Sequence, residues 1–248
     1  MRSLCALLML PLVASIAAAQ ATNPAPVPYP ALATDATVVF HGDSITDGGW
    51  LRDSNDRNHN MGQSYPYLVA SRLGLELADR NLTFVNRGAG GSGIADIGTD
   101  DALKLKPRLV SIATGINDCK RFIAHPTMGS LSAEGYAAAY DKLINDFKTA
   151  LPATRLVLVA PFSLAKEGSA DDATYRAALK PYQEAVARLG AKYGIPVVRL
   201  QPAFDEALKL APARHWCWDG IHPTYAGQAL IAREWLQVVA AMPAPAAK

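Results

Sequence analysis

The 248-residue chain has no excess of either charge: 24 lysines and arginines face 22 aspartates and glutamates, giving a formal net charge of +2. No long run of one sign breaks that balance, which excludes the basic surface that a nucleic acid or an anionic membrane would need. The partner to expect is small or neutral. Beyond residue 20, no apolar run approaches the roughly 18 residues required of a membrane-spanning helix. Histidines number five and cysteines three, so chemistry that rests on imidazole or thiol has few residues to draw on.

The first 21 residues stand apart. Arg2, the apolar block Leu4 to Ile16 and the small-residue stretch Ala17-Ala18-Ala19-Gln20-Ala21 have the order of a secretory signal peptide. Cleavage is expected after Ala19 or Ala21, with export to a periplasm or out of the cell. Residues 22–34, with Pro24, Pro26, Pro28 and Pro30, read as an extended leader, and residues 243–248 as a flexible tail. Residues 35–242 remain, about the size of one well-buried domain. Only Cys119 and Cys217 persist after cleavage. In an oxidising compartment they pair as a disulfide or stay as two buried free thiols, and the sequence leaves both open.

Within the domain, short apolar runs alternate with stretches of helical period. Strands are expected at Thr37 to Phe40, Leu82 to Val85, Leu109 to Ala113, Leu156 to Ala160 and Pro196 to Leu200. Tyr136, Ala139, Tyr140, Leu143, Ile144 and Phe147 form one apolar helix face behind an N-cap at Ser132. Ile231, Trp235, Val238 and Met242 do the same behind Thr224. Gln63 to Leu73 and Asp172 to Tyr193 are further helices, with Pro66 and Pro181 marking a first turn or a kink. Near-continuous apolar strands alternating with helices imply an α/β fold, a five-stranded parallel sheet covered on both faces, for which the commonest order is 2-1-3-4-5. Ligands then bind beyond the carboxyl ends of the strands, between strands 1 and 3.

That position is where the unusual residues lie. Strand 1 runs into His41-Gly42-Asp43-Ser44-Ile45-Thr46, which makes Ser44 a candidate nucleophile on a sharp turn. Asp219 and His222, three residues apart in a loop bounded by Gly220 and Pro223, suit an acid that orients a base. His41 is the rival base, but as the end of a strand it suits packing or a local hydrogen bond better. Asn117 follows strand 3, where its amide either caps the next segment or donates to a developing oxyanion. Gly88-x-Gly90-x-x-Gly93 matches the dinucleotide fingerprint by letter, yet it follows the second strand and has no acid about 20 residues on to grip a ribose. Small residues there suit a backbone N–H facing the oxyanion, that of Gly91 above all, with Gly88 and Gly90 as alternatives. The polar stretch Asp53 to Asn60 fails as a calcium loop, because Arg57, Asn58 and Ser64 occupy positions that need other residues. It reads as a solvated loop.

Together, Gly42-Asp43-Ser44-Ile45-Thr46, the Asn86 to Gly93 block, Gly115-Ile116-Asn117-Asp118 and Asp219-x-x-His222-Pro223 resemble the four blocks of the GDSL/SGNH hydrolases, in order. Ile45 replaces the usual leucine. The resemblance implies a flavodoxin-like three-layer α/β/α sandwich with Ser44, His222 and Asp219 as nucleophile, base and orienter. It also implies an oxyanion hole from the Ser44 and Gly91 N–H groups and the Asn117 side chain, with no metal or organic cofactor. Pro161-Phe162, Gln201 to Asp205 and Trp218 to Gly227 look most like acetylxylan-esterase-type members, which deacetylate carbohydrates. Trp50, Trp216 and Trp218 flank the motif loops and suit either a sugar-stacking platform or rim packing. Longer-chain lipase, lysophospholipase or thioesterase activity and polysaccharide O-acetyl transfer are the competing activities.

Overall fold

The structure, a computed structural model, describes residues 29–54, 56, 57, 59–127, 129–164 and 171–244. The expected signal peptide, most of the expected leader and the last four residues lie outside the described residues. The chain runs β1 (Thr37–Gly42), α1 (Ser44–Asp47), α2 (Tyr65–Glu76), β2 (Thr83–Gly88), α3 (Asp100–Leu105), β3 (Leu109–Ala113), α4 (Ile116–Ala124) and α5 (Ala133–Ala150). It continues through β4 (Arg155–Ala160), α6 (Asp171–Tyr193), β5 (Val197–Arg199), α7 (Leu200–Ala207), α8 (Ala213–Trp216) and α9 (Tyr225–Ala240). All strand pairs are parallel, in the expected order β2-β1-β3-β4-β5.

Two adjacent residues of β1 show how the layers arise, because successive side chains of a strand point to opposite faces. Phe40 packs on Tyr65 of α2 and Trp235 of α9, with ring centroids 5.8 and 5.3 Å away. His41 turns the other way, toward Phe147 of α5 at 6.3 Å. One layer therefore holds α4, α5 and α6, with α4 packed on α6 and α5 joined to α6 through the Tyr136, Tyr140 and Tyr182 rings. The other holds α2, α7, α8 and α9. The strand residues between them, among them Val38, Val39, Val110, Ile112, Val157 and Leu158, are fully buried, each worth about 1.5–3 kcal/mol of transfer free energy. Ser132 and Thr224 cap α5 and α9 as expected, accepting from Gly135 and Gly227. Pro66 sits in the first turn of α2, and α6 continues through Pro181.

Several boundaries differ from expectation, each for a local reason. β2 runs on through Asn86, Arg87 and Gly88 because β1 extends to Gly42 and keeps pairing with it. β5 is shorter at both ends, with Leu200 already opening α7. The last part of the leader belongs to the domain: Tyr29 and Leu32 are buried, and Arg80 Nη1 donates to both their carbonyls at 2.9 and 2.8 Å. Cys119 and Cys217 are free, buried thiols rather than a bridge. Cys119 lies on α4, which packs with α6, whereas Cys217 follows α8, which packs with α9, so they belong to different helical layers. Burial pushes the two thiols up to about 11 and about 12, which keeps them protonated and unreactive.

Candidate active site

β1 and β2 both end in glycine, and the two residues pair in register. A Cβ on Gly42 would stand 2.2 Å from Thr46 Oγ1, and one on Gly88 would stand 2.3 Å from the Asp47 nitrogen. Only glycine lets the single turn of α1 sit directly on the carboxyl edge of the sheet. Asp43 braces that turn as its N-cap, accepting from the Ile45 N–H at 2.9 Å.

The far end of the turn is held by Gln228 and Ser64, which carry no motif signal, and by Asn86, the first residue of the second motif block. Gln228 Nε2 donates to the Ile45 carbonyl at 3.3 Å, and its Oε1 accepts from the Tyr65 N–H at 2.8 Å. Ser64 Oγ donates to the Thr46 carbonyl at 2.5 Å, so this serine stands where α2 should be capped but spends its hydroxyl elsewhere. The buried Asn86 amide donates to the carbonyls of Thr46, Asp47 and Met61 at 2.8, 3.1 and 2.9 Å. The helix-end carbonyls that would otherwise be orphaned are thus captured by side chains.

Ser44 Oγ lies 2.9 Å from His222 Nε2, and His222 Nδ1 lies 2.6 Å from Asp219 Oδ2. The other Asp219 oxygen accepts the backbone N–H groups of Ile221 and His222 at 3.0 and 2.7 Å. Partial burial raises this carboxyl, but the hydrogen bonds from the His222 N–H and ring and from the Ile221 N–H outweigh it and hold Asp219 below the usual carboxylate range. The loop that carries both residues is closed by the Cys217–Pro223 bridge and by Trp218 N–H donating to the His222 carbonyl at 3.1 Å. His41 is buried against the α5 layer, away from this array.

Asn117 falls in the first turn of α4, not in a loop. Its Nδ2 donates to the Ser92 carbonyl at 3.0 Å, which leaves its second amide hydrogen for another acceptor. Ser44 opens α1, where a helix gives its N–H no partner of its own. Gly91 has a φ of 81°, the left-handed conformation that favours glycine. Asp118, beside Asn117, accepts from the Ile94 N–H through both oxygens, and burial raises its carboxyl.

Of the three tryptophans, only Trp218 is a free ring: it is 68 % exposed and stacks on His222 with centroids 5.7 Å apart and planes 19° apart. Trp50 is buried, its Nε1 tied to the Gly88 carbonyl at 2.8 Å and its ring covered by Arg52 and Arg87. Trp216 donates to the Ala211 carbonyl and meets the His215 ring edge to face. Both are therefore packing residues. Among the described residues no cluster of histidine, cysteine, aspartate or glutamate could hold a metal ion.

Asp43 offers a test of the turn. Burial is the main reason its carboxyl is pushed up to about 7; the hydrogen bond from the Ile45 N–H and the nearby His222 oppose the shift, and Asp118 adds to it. A carboxyl whose folded value exceeds its unfolded one holds a proton in the native state, so its stabilising contribution is lost as pH rises from about 4 to about 7. Asp43→Asn keeps an acceptor for the Ile45 N–H and removes the ionisation. Its stability relative to the parent is expected to improve across that window by something on the order of 4 kcal/mol. Urea titrations of both proteins at the two ends of the window would measure it; a pH-independent gap would contradict the assignment.

Residues 40–230 match the GDSL-like Lipase/Acylhydrolase family. An acetylxylan esterase from Geobacillus stearothermophilus is 29% identical over 208 residues, spanning 82% of this chain and 93% of the relative. A crystal structure of a catalytic mutant of the acetylxylan esterase from that organism superimposes with a TM-score of 0.75 at 26% identity, covering 87% of this chain and 99% of the other. Other structures of that esterase carry catalytic mutations at a histidine three positions beyond the mutated aspartate and at a serine. LAE5, an alpha/beta hydrolase enzyme from the metagenome of Lake Arreo, superimposes with a TM-score of 0.75 at 28% identity, covering 85% of this chain and 97% of that one.

Proposed function

The chain belongs to the GDSL-like lipase/acylhydrolase family and acts on ester bonds, and from that premise we propose that it removes acetyl groups from carbohydrates through an acyl-enzyme on Ser44. The observation that carries the mechanism is the unbroken chain from Ser44 Oγ to His222 to Asp219, at 2.9 and 2.6 Å. His222 Nε2 takes the hydroxyl proton as Ser44 Oγ bonds to the ester carbonyl carbon, and Asp219 stabilises the imidazolium. The charge that develops on the carbonyl oxygen is received by the Ser44 N–H, the Gly91 N–H and the Asn117 amide. The tetrahedral intermediate collapses, the sugar oxygen leaves with the proton from His222, and the acetyl group stays on Ser44. Water then gives its proton to His222, attacks the acyl carbon and releases acetate, and Ser44 recovers its proton.

Trp218 supports the carbohydrate part of this reading. Its ring lies over the base, mostly open to solvent, and offers a flat apolar surface of the kind a sugar ring covers. The acetylxylan esterase relatives point the same way. The test is acetate release from acetylated xylan, run beside p-nitrophenyl acetate, butyrate and octanoate. Acetate release from the polymer and a steep fall in kcat/KM with acyl length are expected. A preference for octanoate would overturn the acetyl reading, and transfer of the acetyl group to an acceptor sugar in place of water would reassign the second half of the reaction.

A further inference from the structure

The Gly91 N–H sits in a turn that packing alone does not hold. Gly91 is exposed, and a Cβ placed on it would meet nothing within 4 Å, so no neighbour crowds the side from which a side chain would project. Glycine is the residue with the least conformational restraint of its own, so hydrogen bonds must fix the direction of this N–H.

They come from both sides. Upstream, Asp47 Oδ2 accepts from the Gly90 N–H at 3.0 Å, and Asp47 Oδ1 accepts from the Gly49 N–H at 3.0 Å. Downstream, Arg121 Nη2 donates to the Gly91 carbonyl at 2.5 Å. Arg121 Nη1 lies 3.4 Å from Asp96 Oδ2, the oxygen that accepts the Gly93 N–H at 2.8 Å. The peptides on either side of the one that carries the Gly91 N–H are therefore held, the first by Asp47 at the Gly90 N–H and the second by Arg121 at the Gly91 carbonyl and by the Ser92 N–H, which donates to the Ala89 carbonyl at 3.1 Å. Arg121 is also one helical turn beyond Asn117 on α4, on the same face. One short helix thus delivers Asn117 to the Ser92 carbonyl, Asp118 to the Ile94 N–H and Arg121 to the Gly91 carbonyl.

We propose that Arg121 is a positioning residue for the oxyanion site: by holding the Gly91 carbonyl it fixes the plane of the glycine turn and so aims the Gly91 N–H. This rests on the reading of that N–H as an oxyanion donor given above. Stability is a poor alternative role. The Arg121 and Asp96 side chains are 52% and 49% exposed, and such solvated ion pairs contribute little to folding.

Arg121→Gln and Arg121→Lys, measured on p-nitrophenyl acetate with thermal melts alongside, decide the matter. Losing a donor outright costs about 10²–10³ in turnover, and letting one wander should cost part of that. Arg121→Gln is therefore expected to lower kcat roughly tenfold, with KM and the melting temperature nearly unchanged. Arg121→Lys keeps the charge and a donating nitrogen but loses the planar fork, and should recover only part of the loss. Parental kcat in Arg121→Gln overturns the proposal, as does full rescue by lysine, which would mean that charge alone matters. A parallel Ser44→Ala variant separates the two levels: if it retained turnover, the underlying mechanism would fall, whatever Arg121 does.

Discussion

Ser44→Ala is expected to lower kcat/KM on p-nitrophenyl acetate by at least about 10⁴-fold while leaving the melting temperature close to the parental value. The first half follows from the removal of the one atom proposed to form the acyl bond. The second follows from how the turn is built. Ser44 Oγ meets His222, while the turn itself is fastened by Asp43, Ser64, Asn86 and Gln228 through backbone groups. Deleting the hydroxyl removes chemistry and leaves the scaffold. His222→Ala should cost about as much, and the double variant should be no worse than either single one, because groups that act as a unit lose their effect together. Turnover within tenfold of the parent in the serine variant, with the fold intact, would remove Ser44 from the mechanism.

Asp219→Asn should cost about 10³–10⁴ in kcat, although it changes a single atom's chemistry. The amide oxygen can still accept the Ile221 and His222 N–H groups, so the loop keeps its shape. The amide nitrogen, facing Nδ1, donates where a carboxylate accepted. That drives the imidazole proton to Nε2, the nitrogen that faces Ser44, and a protonated Nε2 cannot take the serine proton. Circular dichroism should match the parent while turnover collapses. The parental carboxyl lies below its ordinary value, so its contribution to stability is present above the ordinary carboxylate pKa and lost as pH falls through the lowered one. An asparagine variant with near-parental kcat would show that the carboxylate is not needed to set the tautomer.

The strands and helices were legible because they rest on local signals, apolar runs of strand length and caps at Ser132 and Thr224, and the sheet order followed from the commonest arrangement of five such strands. Ser44, Asp219 and His222, chosen for their places in the motif loops, are brought within hydrogen-bond reach by the fold. Apart from Asp43, expected to brace the turn because it adjoins Ser44, the bonds that support the nucleophile turn were not legible. Asn86, Ser64 and Gln228 each bond backbone carbonyls or N–H groups far away in sequence, and a polar residue in a strand or helix carries no mark of a partner that tertiary packing alone brings near. The same limit left Trp50 open between platform and packing, because the two arginines that close over it come near only in the fold. It also left the cysteines open, since only the assignment of helices to faces separates Cys119 from Cys217.

The bonds between Asp219 and the backbone of Ile221 and His222 have a further meaning. Acid and imidazole travel on one closed segment of a few residues, as a single rigid cartridge. Disturbing the surroundings of that segment shifts both members together, so the proton stays on the correct nitrogen and only the reach to the hydroxyl across the sheet edge changes. The enzyme then has one long-range distance to keep, not two. Mutations outside the segment should accordingly weaken it by degrees, through lengthened reach, and should not scramble its acid–base order.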